Sequence, residues 1–557
     1  MTETFEFIVV GAGSAGCVLA NRLSEDPRNR VLLLECGGSD ASPFIQMPSA
    51  LSIPMNSKHY DWGFETEPEP GLGGRRLHVP RGRVLGGSSS INGMVYVRGH
   101  PLDFERWRTE GAGGWGWADV LPYFRRAETR AEGGDRYRGE DGPLHTTYGT
   151  LVNPLYSAFI EAGREAGYPV STDLNGAQGE GFGRFDMTVK RGQRWSTANA
   201  YLKPVLGRRN LVVRTGIAVE RVRVEGGRAV GVDYRPVAQA GAASRRTASA
   251  VRAVILSAGA IGSPALLELS GIGPGAELAG LGLPVAADRP GVGENLQDHL
   301  EFYLQVGCKQ PITLYASMSL FAKGVIGLRW LMRQDGLGAT NHFESGGFIR
   351  SRAGIRHPDI QLHFLPAAIT YDGRAKATRH GFQAHVGTLR SASKGWVRLR
   401  SPDPRDRPRI FFNYMSRAED WVDLRAGLRL TREIFAQPAM APYADGEIQP
   451  GAHIQDDAAI DDFLREKLES AYHPCGTCRM GRRDDPLAVV DPETRVIGVE
   501  GLHVVDASIM PSITSGNLNA PTIMLAEKAA DHILGRTPLS PDDAPFYVAG
   551  GWQTSQR

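Results

Sequence analysis

The 557-residue chain is short of cysteine, of apolar runs and of charge imbalance, and each shortage narrows what it can be. Its five cysteines are odd in number and no Asn-x-Ser/Thr sequon accompanies them. That combination argues against a secreted, disulfide-stapled scaffold and predicts unpaired thiols in a reducing compartment. The longest uncharged stretch, residues 507–526, is interrupted by Ser, Asn and Pro. Those polar groups would need partners in hydrocarbon, so no transmembrane span is expected. Lys and Arg number 63 against 61 Asp and Glu, a formal net charge of +2 without a basic block, which argues for no nucleic-acid partner. Residues 1–7 carry Glu3 and Glu6 and lack the positive segment of a signal peptide, so a cytoplasmic location is expected. No repeat or low-complexity tract is visible, and the small-residue stretch 238–250 reads as an exposed hairpin loop.

What is present is an ordinary globular composition, 41% apolar and 22% charged, long enough for two substantial domains. The apolar run 5–10 meets Gly11, helical spacing follows from Ser14 to Leu23, and a second apolar run, 30–34, ends at Glu35. Strand, turn, helix and strand make a βαβ unit. Gly11, Gly13, Ser14, Ala15 and Gly16 lie in its turn, in the G-x-G-x-x-G form. The first glycine turns the chain sharply, the second admits a pyrophosphate close to the backbone, and the third lets helix and turn pack tightly. Glu35, 24 residues after Gly11, can accept ribose hydroxyls and would repel a 2′-phosphate. The motif predicts a dinucleotide without separating FAD from NAD. Mid-chain strands such as 360–365 and 396–400, with a helix over 421–435, predict a second domain.

The stretch "HPCGTCRMG" at 473–481 leaves three chemistries open. His473, Cys475 and Cys478 could ligate zinc, the two thiols could form a redox disulfide, or the thiols could pack around a general base.

Longer segments narrow the choice. "PRGRVLGGSSSINGMVYVRG" (80–99), "GAIGSPALLELSGIG" (259–273), "PGVGENLQDH" (290–299), "NHFESGGFIRS", "HPCGTCRMG" and "VVDASIMPSITSGNLNAPTIMLAEKAAD" together resemble the glucose-methanol-choline oxidoreductases over essentially the whole chain. "ENLQDHLEFYLQ", "PDIQLHFLPAAI", "FFNYMSRAEDW" and "FYVAGGW" are similar to the choline-oxidising bacterial members. The resemblance implies an α/β flavoprotein with α+β character: a Rossmann-like FAD domain from 1–158, 194–297 and 468–539, a substrate domain with an antiparallel sheet from 159–193 and 298–467, and a tail at 540–557. It places Asn92, Gly93, Met94 and Val95 along the flavin, Val219 beside the adenine, and Asp506 and Ala507 near the ribityl chain and pyrophosphate. Pro521 and Thr522 open a helix whose N-terminus would face the flavin. Ile91 stands where some choline-oxidising relatives carry a flavin-linked histidine, so FAD is expected to be noncovalent.

Carried over in the same way, His473 is the general base and Asn517 the partner that holds the substrate oxygen, with no metal involved. Glu301 faces a trimethylammonium group, and His299 lies near the substrate. Trp62 offers an aromatic wall or packs on the flavin, and Phe321 stands where such relatives often have tryptophan. The implied reaction is oxidation of a primary alcohol, choline foremost, with hydride transferred to flavin N5. Aliphatic, aromatic or polyethylene glycol alcohols remain open, as does a redox-silent hydroxynitrile lyase. The resemblance also implies a quinone or other membrane carrier as electron acceptor, with peripheral contact at the inner membrane.

Overall fold

The structure, a computed structural model, describes residues 3–238, 245–370 and 377–557. The chain opens with β1 (Glu3–Val10), α1 (Ser14–Leu23) and β2 (Val31–Leu34). It continues through α2 (Pro154–Glu165), β3 (Gly181–Arg184), β4 (Leu211–Arg214), β5 (Ile217–Glu225), β6 (Arg228–Pro236), β7 (Arg246–Leu256) and α3 (Gly259–Leu269). Then come β8 (Leu300–Cys308), α4 (Leu320–Arg333), β9 (Ser345–Ile349), β10 (Ile360–Leu365), β11 (Gly381–Thr388) and α5 (Ala418–Phe435). The last are β12 (Ala444–Gln449), β13 (Glu469–Ser470), β14 (Leu502–Val504) and α6 (Asn519–Leu534).

Two seven-stranded sheets organise these elements. The first runs β4-β2-β1-β7-β6-β5 with β14 also on β7. Its β4, β2, β1, β7 and β14 are mutually parallel, and β6 and β5 are antiparallel additions. Residues 7–10 of β1 and all of β2 are buried on both faces, which is why each reads as an unbroken apolar run. The second sheet runs β12-β8-β11-β10-β9-β3 with β13 also on β8, antiparallel throughout. A separate apolar core lies against each sheet, α1 and α6 supplying the first and α2 and α5 the second. This is the mixed α/β architecture that the sequence implies.

Several expected boundaries sit elsewhere, for packing reasons. The division at 158/159 falls inside α2, whose Leu155, Tyr156 and Phe159 all pack in the second core. A helix that buries one apolar stripe goes as a whole to whichever sheet covers it. Phe64, Leu72, Leu77 and Val79 also join that core, and β13 pairs with β8 although 468–539 was assigned to the nucleotide domain. Residues 540–557 are clamped rather than trailing, with Tyr547 N–H donating to Ala177 O (2.8 Å) and Gly354 N–H to Trp552 O (2.7 Å).

Of the expected loop 238–250, residues 239–244 lie outside the described residues, and 246–250 belong to β7. Gly231 on β6 permits the close approach of β7 there, because a Cβ on it would lie 2.1 Å from Ala248 O. Among the described residues no helix is long and apolar enough to cross a membrane.

The tightest approach in the first domain is that of α1 to the turn before it. A Cβ on Gly16 would lie 1.8 Å from Gly11 O, a backbone atom that cannot swing aside. Gly16→Ala should therefore cost about 1–3 kcal/mol through overpacking, read as a lower unfolding midpoint together with reduced flavin content in purified protein. An unchanged midpoint with full flavin content would contradict this packing.

Candidate active site

The carboxyl ends of β1 and β2 open into one elongated cavity of about 550 Å³, where ligands of open α/β sheets bind. Gly11, Gly13, Ser14, Ala15, Glu35 and Val219 line one part of it, and Asn92, Gly93, Met94 and Val95 another. His473, Asn517, Glu301 and Trp62 line the remainder. Gly11 has φ +98, and its missing Cβ avoids Ser257 O. Gly16 does not face the cavity; it sets the approach of α1. That helix starts with no side-chain cap and no acid in its first turn, and so does α6. Both N-termini thus keep N–H groups and a partial positive charge for an anion. Ser14 Oγ donates to Asn519 Oδ1 (2.7 Å), tying the two starts together.

Glu35 is held at the rim by Ala12 N–H (2.8 Å) and Gly37 N–H (2.7 Å). Burial raises its pKa to about 6 against those donors, and the lone pairs they leave suit ribose hydroxyls. Asp506 accepts from Gly259 N–H (2.9 Å) and Ser263 Oγ (2.6 Å), so it anchors the start of α3, while Ala507 lines the cavity. One expectation shifts here. The last helix begins at Asn519, two residues before Pro521, which puts Pro521 inside the first turn and leaves Asn519 and Thr522 on the wall. The donor set, two uncapped helix starts and a ribose-accepting carboxylate along one cleft, fits a dinucleotide. Ile91 also lines the cleft and offers no nucleophile for a covalent link.

At the opposite end, hydrogen bonds determine which nitrogen of His473 carries the proton. His299 Nε2 lies 3.1 Å from Leu389 O, a carbonyl that can only accept, so His299 holds its proton on Nε2. Its bare Nδ1, 3.0 Å from His473 Nδ1, must then receive the proton of His473. His473 is left with an unprotonated Nε2 turned to the cavity, 3.2 Å from Asn517 Nδ2. The backbone is pinned as well, His473 N–H donating to buried Asp298 (2.7 Å), which also accepts from Tyr414 Oη (2.6 Å) and Ser470 Oγ. Desolvation, reinforced by His299, Arg81 and His363, pushes the His473 pKa well below the usual histidine range. His299 thus stands behind the base and does not line the cavity, contrary to the expected substrate contact.

Asn517 is oriented by the same logic. Gln361 Nε2 donates to its Oδ1 (3.3 Å), which turns its N–H₂ toward His473 and the cavity. Glu301 on β8 accepts from His385 Nδ1 (3.0 Å). Gln383 Oε1 is taken by Gln305 Nε2 (2.8 Å) and Ile369 N–H (2.9 Å), so its amide N–H₂ faces His385 Nε2 (2.8 Å). His385 therefore keeps its proton on Nδ1, directed at Glu301. His363, His385 and Phe343 also line the cavity, and the sequence reading missed all three. A signal existed: "IQLHFL" and "FQAHVG" each set a polar pair at period two in a buried strand, and His363 and His385 are cross-strand partners.

Trp62 lines the cavity while its ring stacks on Phe64 (centroids 5.7 Å) and lies under Arg83 (5.8 Å). Phe321 does not reach the site: it is 84% exposed on α4, whose apolar stripe faces outward. Cys475 and Cys478 are unpaired and buried in the first core, which pushes both thiols up. Among the described residues no three His, Cys, Asp or Glu side chains converge as a metal site.

Comparison with known proteins identifies the family. Residues 5–301 and 391–526 match the two domains of GMC oxidoreductase. The chain is 58% identical over 552 residues to an oxygen-dependent choline dehydrogenase of Brucella anthropi, covering 99% of this chain and 100% of that one. It is 56% identical over 559 residues to the protein of that name from Photobacterium profundum, covering 100% and 98%. Among solved structures it is similar to pyridoxine 4-oxidase from Mesorbium loti (34% identity, TM-score 0.86, 96% and 100% covered). A variant of formate oxidase from Aspergillus oryzae, studied for FAD modification, aligns at 26% identity with TM-score 0.89 over 96% and 98% of the two chains. The chain belongs to the GMC oxidoreductase family and is an FAD-dependent alcohol dehydrogenase.

Proposed function

We propose that the enzyme oxidises choline to betaine aldehyde. The observation that carries this reading is that one cavity holds the bare Nε2 of His473, the amide of Asn517 and the carboxylate of Glu301. FAD, when bound, supplies the acceptor for the hydride at its N5. The chain supplies the rest. The substrate hydroxyl donates to His473 Nε2 while Asn517 Nδ2 donates to the hydroxyl oxygen, fixing the carbon–hydrogen bond in place. Proton transfer makes an imidazolium whose Nδ1–H is already bonded to His299, so the new charge meets an acceptor without rearrangement. An amide cannot take that proton, so of the pair that holds the hydroxyl His473 is the base.

Glu301 gives the site its preference for a cation. His385 occupies one carboxylate oxygen, leaving the other for a quaternary ammonium group. At an effective dielectric near 20 and a separation of about 5 Å the attraction is ~3 kcal/mol, part of it offset by desolvation. Trp62 and Phe343 add aromatic wall, which favours the same cation. The names of the relatives from Brucella anthropi and Photobacterium profundum support choline. In the same reading the enzyme is cytoplasmic and passes its electrons to a quinone or other membrane carrier, in peripheral contact with the inner membrane. The acceptor and the membrane contact rest on the resemblance alone.

Anaerobic titration should bleach the flavin with choline at far lower concentration than with an aliphatic alcohol or a polyether; equal bleaching by all three would remove choline as the substrate. Glu301→Gln should raise the choline KM roughly tenfold, about 1.4 kcal/mol, and leave neutral alcohols unchanged. His473→Ala should slow choline-dependent flavin reduction by about 10²–10⁴ with FAD still bound. The reactive form of His473 is the neutral one, present above its pKa and lost as pH falls through it. Because burial lowers that pKa, kcat/KM should hold as pH is lowered past about 6.5, and an acid limb above it would contradict the assignment.

A further inference from the structure

Large apolar side chains scattered over a surface need no explanation, whereas a contiguous set does. α4 carries such a set. Leu320 is 89% exposed, Phe321 84% and Met332 69%, with Val325, Leu328 and Leu331 all more than half exposed. Phe321, Val325, Leu328 and Met332 recur at i, i+4, i+7 and i+11, one continuous stripe along the helix. Globular proteins turn a stripe of this kind into their core. Here the helix is attached by its opposite side, where Trp330 is its one buried residue and donates its indole N–H to Gly192 O (2.7 Å).

Charge selects the occupant. Lys323, Arg329 and Arg333 lie on α4, and its sequence LFAKGVIGLRWLMR contains no acid. Asp335, just beyond the helix, is paired with Arg329 (2.5 Å). A second copy docked through the same face would set two cationic helices against each other, which like-charge repulsion disfavours. An anionic phospholipid surface answers both features, taking the apolar stripe at the acyl boundary and the cations at the phosphates.

The position also fits. Residues 336–339, directly after α4, pack against residues 48–50. The chain then reaches Asn341, which donates to Gly93 O (2.8 Å), and Phe343; Gly93, Phe343 and nearby Met55 all line the cavity. The docking face and the cavity wall are therefore joined by a few residues. We infer that α4 lies in the plane of an anionic phospholipid bilayer and docks the enzyme there, presenting the cavity to a lipid-soluble acceptor. The inference deepens the acceptor part of the proposed function and is independent of which alcohol is oxidised.

The test is flotation of full-length, FAD-loaded protein with vesicles of phosphatidylcholine containing phosphatidylglycerol, and with vesicles of phosphatidylcholine alone. Wild type should float with the anionic vesicles and less so as salt rises. Val325→Ser/Leu328→Ser should lower the bound fraction roughly tenfold, and Lys323→Glu/Arg333→Glu should weaken binding to the anionic vesicles only. Flavin absorbance and melting temperature report that each variant is folded, without reference to substrate. The inference fails if wild type stays with the unbound fraction in both cases, or if the serine variant floats as wild type does. A wild-type dimer that the serine variant dissociates would also overturn it, assigning the face to a second copy.

Discussion

A single shared proton, between His473 Nδ1 and His299 Nδ1, fixes the chemistry of this cavity. Because Leu389 O takes the other proton of the pair, the base is obliged to present a lone pair to the substrate. The same device recurs twice more. Gln361 occupies the oxygen of Asn517 so that its N–H₂ faces inward, and Gln383 occupies one nitrogen of His385 so that the other donates to Glu301. In each case a group behind the wall uses up one face of a side chain and so determines what the cavity sees. β10 and β11 of the second sheet supply both glutamines and both additional histidines, which makes the sheet an orienting scaffold for the reacting end.

The electrostatics follow from burial. His299 and His363 are pushed down to about 4 and His473 well below its usual range, so these three imidazoles add no positive charge at the reacting end, where Arg81 on the cavity wall is the guanidinium that helps burial hold His473 down. A quaternary ammonium substrate therefore meets Glu301 beside imidazoles that burial keeps neutral. At the nucleotide end the sign is reversed, because the starts of α1 and α6 offer partial positive charge where phosphate would lie.

The legible parts of the sequence were those with local rules. The β1–α1–β2 unit shows its change of periodicity, its obligatory glycines and the acid that ends β2, and α1 falls at Ser14–Leu23 as its spacing predicts. His473 and Asn517 came from motif resemblance, and the cavity brings them together. His363 and His385 were passed over because a lone histidine in an apolar strand resembles ordinary core; only their cross-strand pairing distinguishes them. Phe321 went wrong for a different reason. Periodicity shows that α4 has an apolar face but not what that face meets, and it meets no protein among the described residues. The boundary within α2 failed likewise, since tertiary packing decides which sheet a helix joins.

The tautomer of His473 is the claim on which the rest stands. Neutron diffraction from deuterium-exchanged crystals reads it directly. The account predicts deuterium on Nδ1 of His473, none on its Nε2, and deuterium on Nε2 of His299. Deuterium on His473 Nε2 with a bare Nδ1 would leave the alcohol facing a donor and contradict the mechanism.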